Sequence, residues 1–488
     1  MVHRAPFFLT AFLGAIFFCY FLMGYTLIPA GDIAEYFGIT QSLSTHASIA
    51  LTNKDVQTLS TILHKEYFTN PGYYIAGVDG NKYPVHFIAY SFLLLPLRFM
   101  LERWSFSPLL TFPLTNLLIL FFTILFCMRQ FLHSTTKQFL FLILILFSPI
   151  LSFISWPGPD LLVMCLLLLA LCYVFTSHYS IAGTLIAFAS WHSQPLVPLS
   201  VILTSIPLVQ TIYTHHSLAH FSWKKIRSIF FVLVLIAIPY IYNIAVFGVL
   251  TPWTIFQDNW TIQNGFGIQN IHPQKLFEQF FDPNIGIFWY MPIGTLIGIG
   301  YICWKGYTKK MYWIIGIVTI MTACFFQTNP AWHYGTSGYG PTRHILFIIP
   351  LFITVGMQWF FSLRRNTILF YTLIIVYIGI QSIPLTWNGW LAPHFENTLS
   401  HSPVATFILT HYPLWYSPTP ELFVDRTNHT DLDHLTTAIY TVNGVCKKAY
   451  IANGNIQPVL TQCGYLDTNA TLVIRKHPFG NTYSTYNK

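Results

Sequence analysis

Charged side chains are scarce in this chain, and their scarcity excludes an ordinary soluble protein. Asp, Glu, Lys and Arg make up 8% of the 488 residues, whereas soluble domains carry about 25%. Hydrophobic residues make up 54%, aromatic residues 18%, and the mean hydropathy is +0.54. Because a surface this poor in charge does not stay hydrated, the composition predicts an integral membrane protein.

The sequence also lacks the motifs of several common enzyme and binding classes. It contains no P-loop, no Ser-His-Asp arrangement and no helix with paired histidines at zinc-ligand spacing. Its 19 histidines are scattered along the chain. Basic residues do not interleave with aromatic residues as nucleic-acid binding requires, so no nucleic-acid partner is expected. We expect no cofactor and no metal, although an acid side chain can ligate a divalent ion.

Long apolar runs are present instead, and several approach the ~20 residues that a spanning helix needs. The first run extends from Pro6 to Ile28. It is too long for the apolar core of a signal peptide, so we predict an uncleaved membrane helix. Further candidate spans lie at 86–101, 107–128, 138–155, 160–177, 180–193, 195–211, 229–250, 284–304, 311–327, 344–361 and 367–384.

The basic residues indicate which loops face the cytoplasm. They cluster in short loops, for example around Lys224 and Lys305, and the positive-inside rule assigns such loops to the cytoplasm. Between a first outer loop at 29–85 and the inner loop at 212–228, the chain must cross the membrane an odd number of times. Six candidate runs lie between these loops, so one of them does not cross. We interpret the short run 86–101 as this re-entrant segment. The prediction is an all-α polytopic protein with about 11 transmembrane helices and a cytoplasmic N-terminus.

The last hundred residues differ in character from the rest. Their apolar runs are short, and the segments 448–451 and 471–475 are typical of strands broken by Asn-Gly and Cys-Gly turns. We divide the chain into a transmembrane domain, 1–385, and a small extracytoplasmic domain, 386–488, which is α/β or β-rich.

Cysteine usage agrees with this division. Six of the eight cysteines lie in or beside apolar helices, where Cys behaves as a small hydrophobe. Cys446 and Cys463 are the only pair in the tail. An oxidising outer compartment would preserve a disulfide between them, and two free thiols are the alternative. Two thiols alone do not supply the four ligands of a structural zinc site. We predict the disulfide.

An acid stands at the exit of the first membrane helix. Asp32 follows the apolar run directly, and Glu35 lies three residues later, on the same face if the segment is helical. An acid at this place in a chain so poor in charge is a candidate general base for an acceptor hydroxyl or amine. The alternative is a helix cap, in which the two acids satisfy backbone N–H groups.

Basic residues near the ends of outer loops are candidate phosphate ligands. Lys82 and His86 lie at the end of the loop 29–85, and Arg343 lies in a stretch with three glycines, 332–344. A cation at a helix start opposes the helix dipole, and glycines let backbone amides approach an anion. An interfacial anchor, a packing histidine and an ordinary turn are the alternatives.

Four further residues are candidates for supporting roles on the same side. Asp160 and His192 lie in short polar turns between apolar stretches, Tyr36 lies in the first outer loop, and His333 lies in the glycine-containing stretch. Capping of the helix that begins at Leu161 is the alternative for Asp160. The unusual polar residues thus fall on one membrane face, where we expect chemistry or recognition.

Several stretches resemble the GT-C superfamily of polytopic membrane glycosyltransferases, which includes protein O-mannosyltransferases and lipid A aminoarabinose transferases. The stretch 31–43 resembles the start of the first outer loop in these enzymes, and 82–96 is similar to a second, Pro-containing signature. The stretches 281–292 and 338–343 resemble late elements of an uncharacterised bacterial branch. The resemblance covers about residues 1–360, by order and topology more than by identity.

The resemblance implies transfer of a sugar from a polyprenyl phosphate to a glycan, lipid or protein acceptor on the outer face of a membrane. A bacterial inner membrane facing the periplasm is the expected location. By analogy with the superfamily, Asp32 and Glu35 are the expected catalytic acids. The residues expected to hold the donor phosphate are Lys82, His86 and Arg343.

One departure from the superfamily pattern is Ile33, which stands where a second acid is usual. This departure argues against a metal-dependent mechanism and leaves a non-catalytic binder of lipid-linked sugars, a flippase or a transporter as alternatives. A transporter should carry polar residues in mid-helix. An enzyme should bring Asp32, Lys82 and Arg343 together within roughly 10 Å, because transfer requires close contact.

Overall fold

Helices dominate the structure, a computed structural model. It describes residues 5–27, 32–63, 74–215, 223–250, 267–308, 310–329, 332–333, 340–363, 367–387, 389–391, 399–429, 436–452, 457–463, 471–476 and 482–487.

The first half of the chain contains ten described α-helices and one short hairpin. The helices are α1 (Ala5–Gly24), α2 (Ile33–His46), α3 (Asn53–Leu63), α4 (Ala89–Arg103), α5 (Thr111–Gln130), α6 (Thr135–Leu146), α7 (Asp160–Phe175), α8 (Tyr179–Ala189), α9 (Val197–His215) and α10 (Trp223–Phe247). The antiparallel hairpin pairs β1 (Tyr74–Ala76) with β2 (Lys82–Pro84).

The second half adds further helices and a second sheet. The helices are α11 (Pro273–Phe281), α12 (Ile287–Tyr290), α13 (Pro292–Thr308), α14 (Lys310–Phe326), α15 (Ile348–Ser362), α16 (Thr367–Trp387), α17 (Pro403–His411), α18 (Pro420–Asn428) and α19 (Gln457–Cys463). The strands are β3 (Ala438–Val442), β4 (Val445–Ile451), β5 (Thr471–Lys476) and β6 (Thr482–Asn487).

Five helical stretches of the described chain are long and apolar enough to cross a membrane. They are Ala5–Gly24, Pro108–Gln130, Gln194–Tyr213, Lys225–Phe247 and Thr367–Trp387. Five shorter apolar helices accompany them, at Thr135–Leu146, Asp160–Phe175, Tyr179–Ala189, Tyr312–Phe326 and Ile348–Ser362. These helices support the prediction that the chain is a membrane protein. The predicted number of spans, about 11, exceeds the five helical stretches that are long and apolar enough to cross a membrane. Helix α4, which contains most of the run interpreted as re-entrant, belongs to neither group.

The main core is formed by apolar helices with little amphipathic character. Buried side chains of α1, α5, α6 and α7 pack together with those of α15 and α16. Other apolar side chains of the same helices remain exposed, for example Phe122 of α5 and Ile375 of α16. Helices that are apolar all round bury one side and present the other to lipid.

A smaller layer of helices and the hairpin packs beside this bundle and positions Asp32. Tyr36 and Phe37 of α2 pack in one cluster with Leu59 of α3 and Leu94 of α4. Buried Arg98 of α4 lies over the ring of Phe37, 4.5 Å from its centroid, and donates to Gln41 of α2. Because α2 is packed on two sides, the residue at its start has a fixed position.

The C-terminal part contains a four-stranded antiparallel sheet in the order β3-β4-β6-β5. The strands predicted at 448–451 and 471–475 are confirmed. The Cys446–Cys463 disulfide is also confirmed, with the two Cα atoms 5.7 Å apart. The bond joins strand β4 to the end of helix α19, rather than joining two strands across a turn.

Replacing Cys446 by Ser should destabilise this sheet locally. The bond closes a loop over a sequence separation of 17, and a loop of that size is worth about 3 kcal/mol. Hydrogen exchange of the β3–β4 amides in the full-length protein measures the effect. Cys303→Ser, at an exposed free thiol of α13, is the matched control. Protection of β3 and β4 equal to the wild type in Cys446→Ser would contradict the expectation.

Candidate functional site

Asp32 is joined to Arg343 by an ion pair. Asp32 occupies the N-cap position of α2, yet its side chain makes no capping hydrogen bond. Its Oδ2 instead accepts a hydrogen bond of 2.9 Å from a guanidinium nitrogen of Arg343, 311 residues away in sequence. The capping alternative therefore does not account for this side chain, and two of the residues selected from the sequence are in contact.

His86 lies between the two acids of the first loop. Its Nε2 is 3.5 Å from Oδ2 of Asp32, and its Nδ1 contacts Oε2 of Glu35. Glu35 is buried, whereas about a third of the His86 side chain is exposed. Three separate segments thus meet at one point: the start of α2, the residues after β2, and the turn that begins at Arg343. We call Asp32, Glu35, His86 and Arg343 the acid–histidine cluster.

Hydrogen bonds of the preceding residue hold Arg343 in place. The preceding residue, Thr342, donates its N–H to the carbonyl of Ile285 at 3.1 Å. Its hydroxyl donates to the carbonyl of Trp332 at 2.8 Å and accepts from the N–H of His344. Arg343 begins a short 3₁₀ turn, Arg343–Ile345, just before α15. The guanidinium therefore projects from a segment fixed at several points.

The ion pair keeps Asp32 ionised. Burial is the strongest single influence and would raise the pKa of Asp32. The charges of Arg343 and His86 and the hydrogen bond from Arg343 together outweigh it and bring the pKa below its usual value. Asp32 and Asp160 raise the pKa of Arg343 in turn, against the effect of burial. The carboxylate and the guanidinium both remain charged at neutral pH.

His86 favours its neutral form. Burial lowers its pKa below the ordinary value, the charge of Asp32 opposes this effect, and the charge of Arg343 adds to it. A neutral imidazole has one N–H group, so only one of the two neighbouring carboxylates can accept from it. The other ring nitrogen then is a proton acceptor inside the cluster.

Three predicted supporting residues surround the cluster. Asp160, the first residue of α7, accepts a hydrogen bond from the indole of Trp156 and interacts electrostatically with Arg343 and Asp32. The ring of Tyr36 lies 5.2 Å from that of His86 and 6.1 Å from that of His192. Asp160 and Tyr36 thus lie beside the cluster, and His192 lies against Tyr36. That the polar turns share one membrane face stays a prediction.

Two predicted site residues have no described contact with the cluster. Lys82 is exposed on β2, and none of the described contacts joins its side chain to the cluster. Its neighbour Tyr83 is buried, so strand alternation turns Lys82 outward. His333 contributes instead to a different polar network, where its Nε2 lies 2.8 Å from Asp425. Of the glycine-containing stretch, residues 334–339 lie outside the described residues.

That second network, which the sequence did not reveal, links α11 to the C-terminal part. Oε1 and Oε2 of Glu278 accept hydrogen bonds of 2.9 Å from the backbone and the hydroxyl of Thr419. The Tyr416 hydroxyl donates to Asp282 at 2.8 Å and accepts from Asn284 at 2.7 Å. Polar residues just before a candidate span were the available signal, but the sequence did not indicate their partners.

The network should make stability depend on pH. Burial, and then the charge of Asp282, raise the pKa of Glu278. Because a raised carboxyl pKa favours the protonated folded state, the free energy of unfolding should fall as pH rises above the ordinary value of 4.5. Thermal unfolding in detergent at about pH 5 and about pH 8 measures this loss. Glu278→Gln should reduce it, whereas Glu102→Gln, at a partly exposed acid, should keep it. Identical pH dependence in all three proteins would contradict the expectation.

The acid–histidine cluster also has the donor types of a metal site. Asp32, Glu35 and His86 each offer a ligand atom, and these atoms lie within 4.8 Å of one another. Carboxylate and imidazole groups bind zinc and related ions. Arg343 adds a positive charge at the same Asp32 oxygen, which opposes a bound cation. A metal would therefore compete with Arg343, and the expectation of no metal remains a prediction.

Comparison with known proteins found no relative of this chain. No family model, no curated protein and no solved structure matches the chain. The candidate site is therefore defined by its own geometry.

Proposed function

We propose that this protein is a membrane glycosyltransferase that moves a sugar from a polyprenyl phosphate to an acceptor, with the acid–histidine cluster as its active site. The observation that carries the proposal is the contact between Asp32 and Arg343, with His86 against both Asp32 and Glu35. A base and a permanent cation side by side meet the two needs of transfer from a phosphate leaving group.

The proposed reaction is a single displacement at the anomeric carbon. The acceptor hydroxyl or amine gives its proton to Asp32 as its oxygen or nitrogen bonds to that carbon. The bond from the carbon to the phosphate oxygen breaks, and its electron pair leaves with the polyprenyl phosphate. Since its lowered pKa makes Asp32 a weak base, the neutral imidazole of His86 is the group that takes the proton onward.

Arg343 is the proposed ligand of the donor phosphate. A guanidinium has five N–H donors, and the contact with Asp32 engages one of its nitrogens. The others can contact phosphate oxygens, and the fixed positive charge stabilises the negative charge that develops on them. Lys82 is exposed on β2 and has no described contact with the cluster, so we assign it to lipid headgroups rather than to the donor phosphate.

The proposed arrangement in the membrane follows the charge pattern of the loops. The N-terminus lies in the cytoplasm, about 11 segments cross or enter the bilayer, and the cluster and the C-terminal domain lie outside. The proposed compartment is the periplasm of a bacterium. Glycan, lipid or protein acceptors all remain compatible with a cluster at the membrane surface.

A non-catalytic lipid-linked sugar binder or flippase is the second candidate, and two observations favour it. Asp32 is already neutralised by Arg343, as in a structural ion pair, and Ile33 replaces the usual second acid. A binder would retain lipid-linked sugar without forming a glycosylated product.

Mass spectrometry of surface glycans and envelope lipids tests the proposal. Cells that lack the chain should lose a glycosylated product and accumulate its polyprenyl-phosphate donor. The wild-type gene should restore the product. Unchanged product levels without the chain would overturn the transferase proposal, whereas a donor confined to the cytoplasmic leaflet would favour the flippase.

A further inference from the structure

Helix α11 turns aromatic side chains outward and polar side chains inward. Phe277 is 61% exposed and Phe281 is 36% exposed, and their spacing of four residues puts both on one face. Lys275, Glu278 and Gln279 are buried. A helix on a water-facing surface has the opposite polarity, so the outer face of α11 is suited to an apolar environment.

Specific contacts hold the buried polar face of α11 in this orientation. Glu278 accepts two hydrogen bonds from Thr419. The ammonium of Lys275 lies 5.5 Å from the ring centroid of Trp332 and 3.7 Å from Glu421. A rotation of α11 that buried its phenylalanines would break these contacts. It would also move Lys275 and Glu278 from the interior to the surface. The contacts of the buried polar residues therefore fix the exposure of the aromatic face.

The row of aromatic rings continues from α11 into α12. The ring of Phe281 lies 5.2 Å from that of Phe277 and 5.9 Å from that of Phe288, and Phe288 lies 5.3 Å from Trp289. The Trp289 indole donates to the carbonyl of Phe281 at 2.8 Å and so ties α12 to α11. Three residues after Trp289 the chain enters α13, at Pro292.

The same segment is attached to one of the five candidate spans. Gln381, near the C-terminal end of α16, donates to the carbonyl of Tyr290 at 2.5 Å. Helix α16 exposes Ile375 and, closer to that end, Ile383. The aromatic strip of α11 and α12 is thus attached to the C-terminal part of an apolar helix that is long enough to cross a membrane.

We infer that α11 is a membrane-surface helix, with Phe277 and Phe281 inserted between the headgroups and acyl chains of a phospholipid bilayer. Apolar residues on one helix face bind such a boundary. The attachment of the strip to a candidate membrane span favours lipid over a protein partner. This inference does not rest on the proposed transfer reaction.

The inserted helix sets the height of two other parts of the molecule. The turn that begins at Arg343 packs against α11, so the acid–histidine cluster lies near the level of the lipid headgroups. Thr419 binds Glu278 on the opposite face of α11, so the segment before α18 is held against the membrane surface as well.

Spin-label accessibility in phospholipid vesicles tests the inference. The full-length protein, with its six free cysteines replaced by alanine, receives one new cysteine at a time: Phe277→Cys, Phe281→Cys, Ile375→Cys or Gln57→Cys. Ile375 is the lipid reference because it is 69% exposed within a candidate span, and Gln57, exposed on polar α3, is the water reference. Each nitroxide is measured with oxygen and with a water-soluble nickel chelate in phosphatidylcholine and phosphatidylglycerol vesicles.

Labels at Phe277 and Phe281 should collide with oxygen several-fold more often than with the nickel chelate, as at Ile375. Collision rates like those at Gln57 would overturn the inference, because they would place α11 in water. Low accessibility to both reagents would overturn it as well, since a protein surface would then cover the helix. The same collision rates at positions 277 and 281 in a variant without transfer activity would show that membrane contact of α11 does not depend on the proposed function.

Discussion

Asp32→Asn is expected to lower sugar transfer by about a hundredfold or more, the range that a lost general base costs. The amide keeps the shape of the side chain but neither accepts a proton nor balances Arg343. Product formation is measured by mass spectrometry of envelope glycans or lipids, at matched amounts of folded protein. The expected loss is in product, while the polyprenyl-phosphate donor accumulates.

Asp79→Asn is the matched control for this variant. Asp79 belongs to the same predicted outer loop, where it accepts hydrogen bonds from Asn81 and Tyr83 in the turn between β1 and β2. It lies outside the acid–histidine cluster, so its amide variant should form product at the wild-type level. Equal product from Asp32→Asn and Asp79→Asn would leave the catalytic role of Asp32 without support. The remaining role would be that of a structural ion pair.

The sequence identified all four members of the acid–histidine cluster but only some of their contacts. Scarce charge made Asp32, His86 and Arg343 conspicuous, since an acid or a cation beside an apolar run is expensive to keep. The contact between residues 32 and 343 depends on how the α2 layer packs beside the turn before α15, which no local pattern encodes. Lys82 was selected by its position in the same loop, and none of the described contacts joins its side chain to the other candidates.

The C-terminal part shows the same limit. Strands β4 and β5 and the Cys446–Cys463 bond followed from β-branched runs, turn residues and cysteine placement. The sheet order β3-β4-β6-β5 could not be predicted from the sequence, because β4 pairs with β6, and a helix and another strand lie between them in the chain. The link from Glu278 to Thr419 also joins residues 141 positions apart, and the sequence offered no sign of that pairing.

Arg343→Leu should lower transfer by about a hundredfold to a thousandfold, the cost of removing one preorganised donor from a developing negative charge. It also leaves the Asp32 carboxylate without its partner. Arg343→Lys keeps the positive charge but loses the planar fork that can contact a carboxylate and a phosphate at once, so it should recover only part of the activity. The assay is the same measurement of product per folded protein.

The double variant Asp32→Asn with Arg343→Leu separates catalysis from fold stability. It removes both charges, so thermal unfolding should be closer to the wild type than in Arg343→Leu alone, where the carboxylate is unpaired. Transfer should stay as low as in the worse single variant, because residues that act as one unit lose activity non-additively. Recovery of transfer together with stability would mean that the pair only holds α2 against the turn before α15. If the double variant regains stability but still lacks transfer activity, Asp32 and Arg343 take part in the reaction itself.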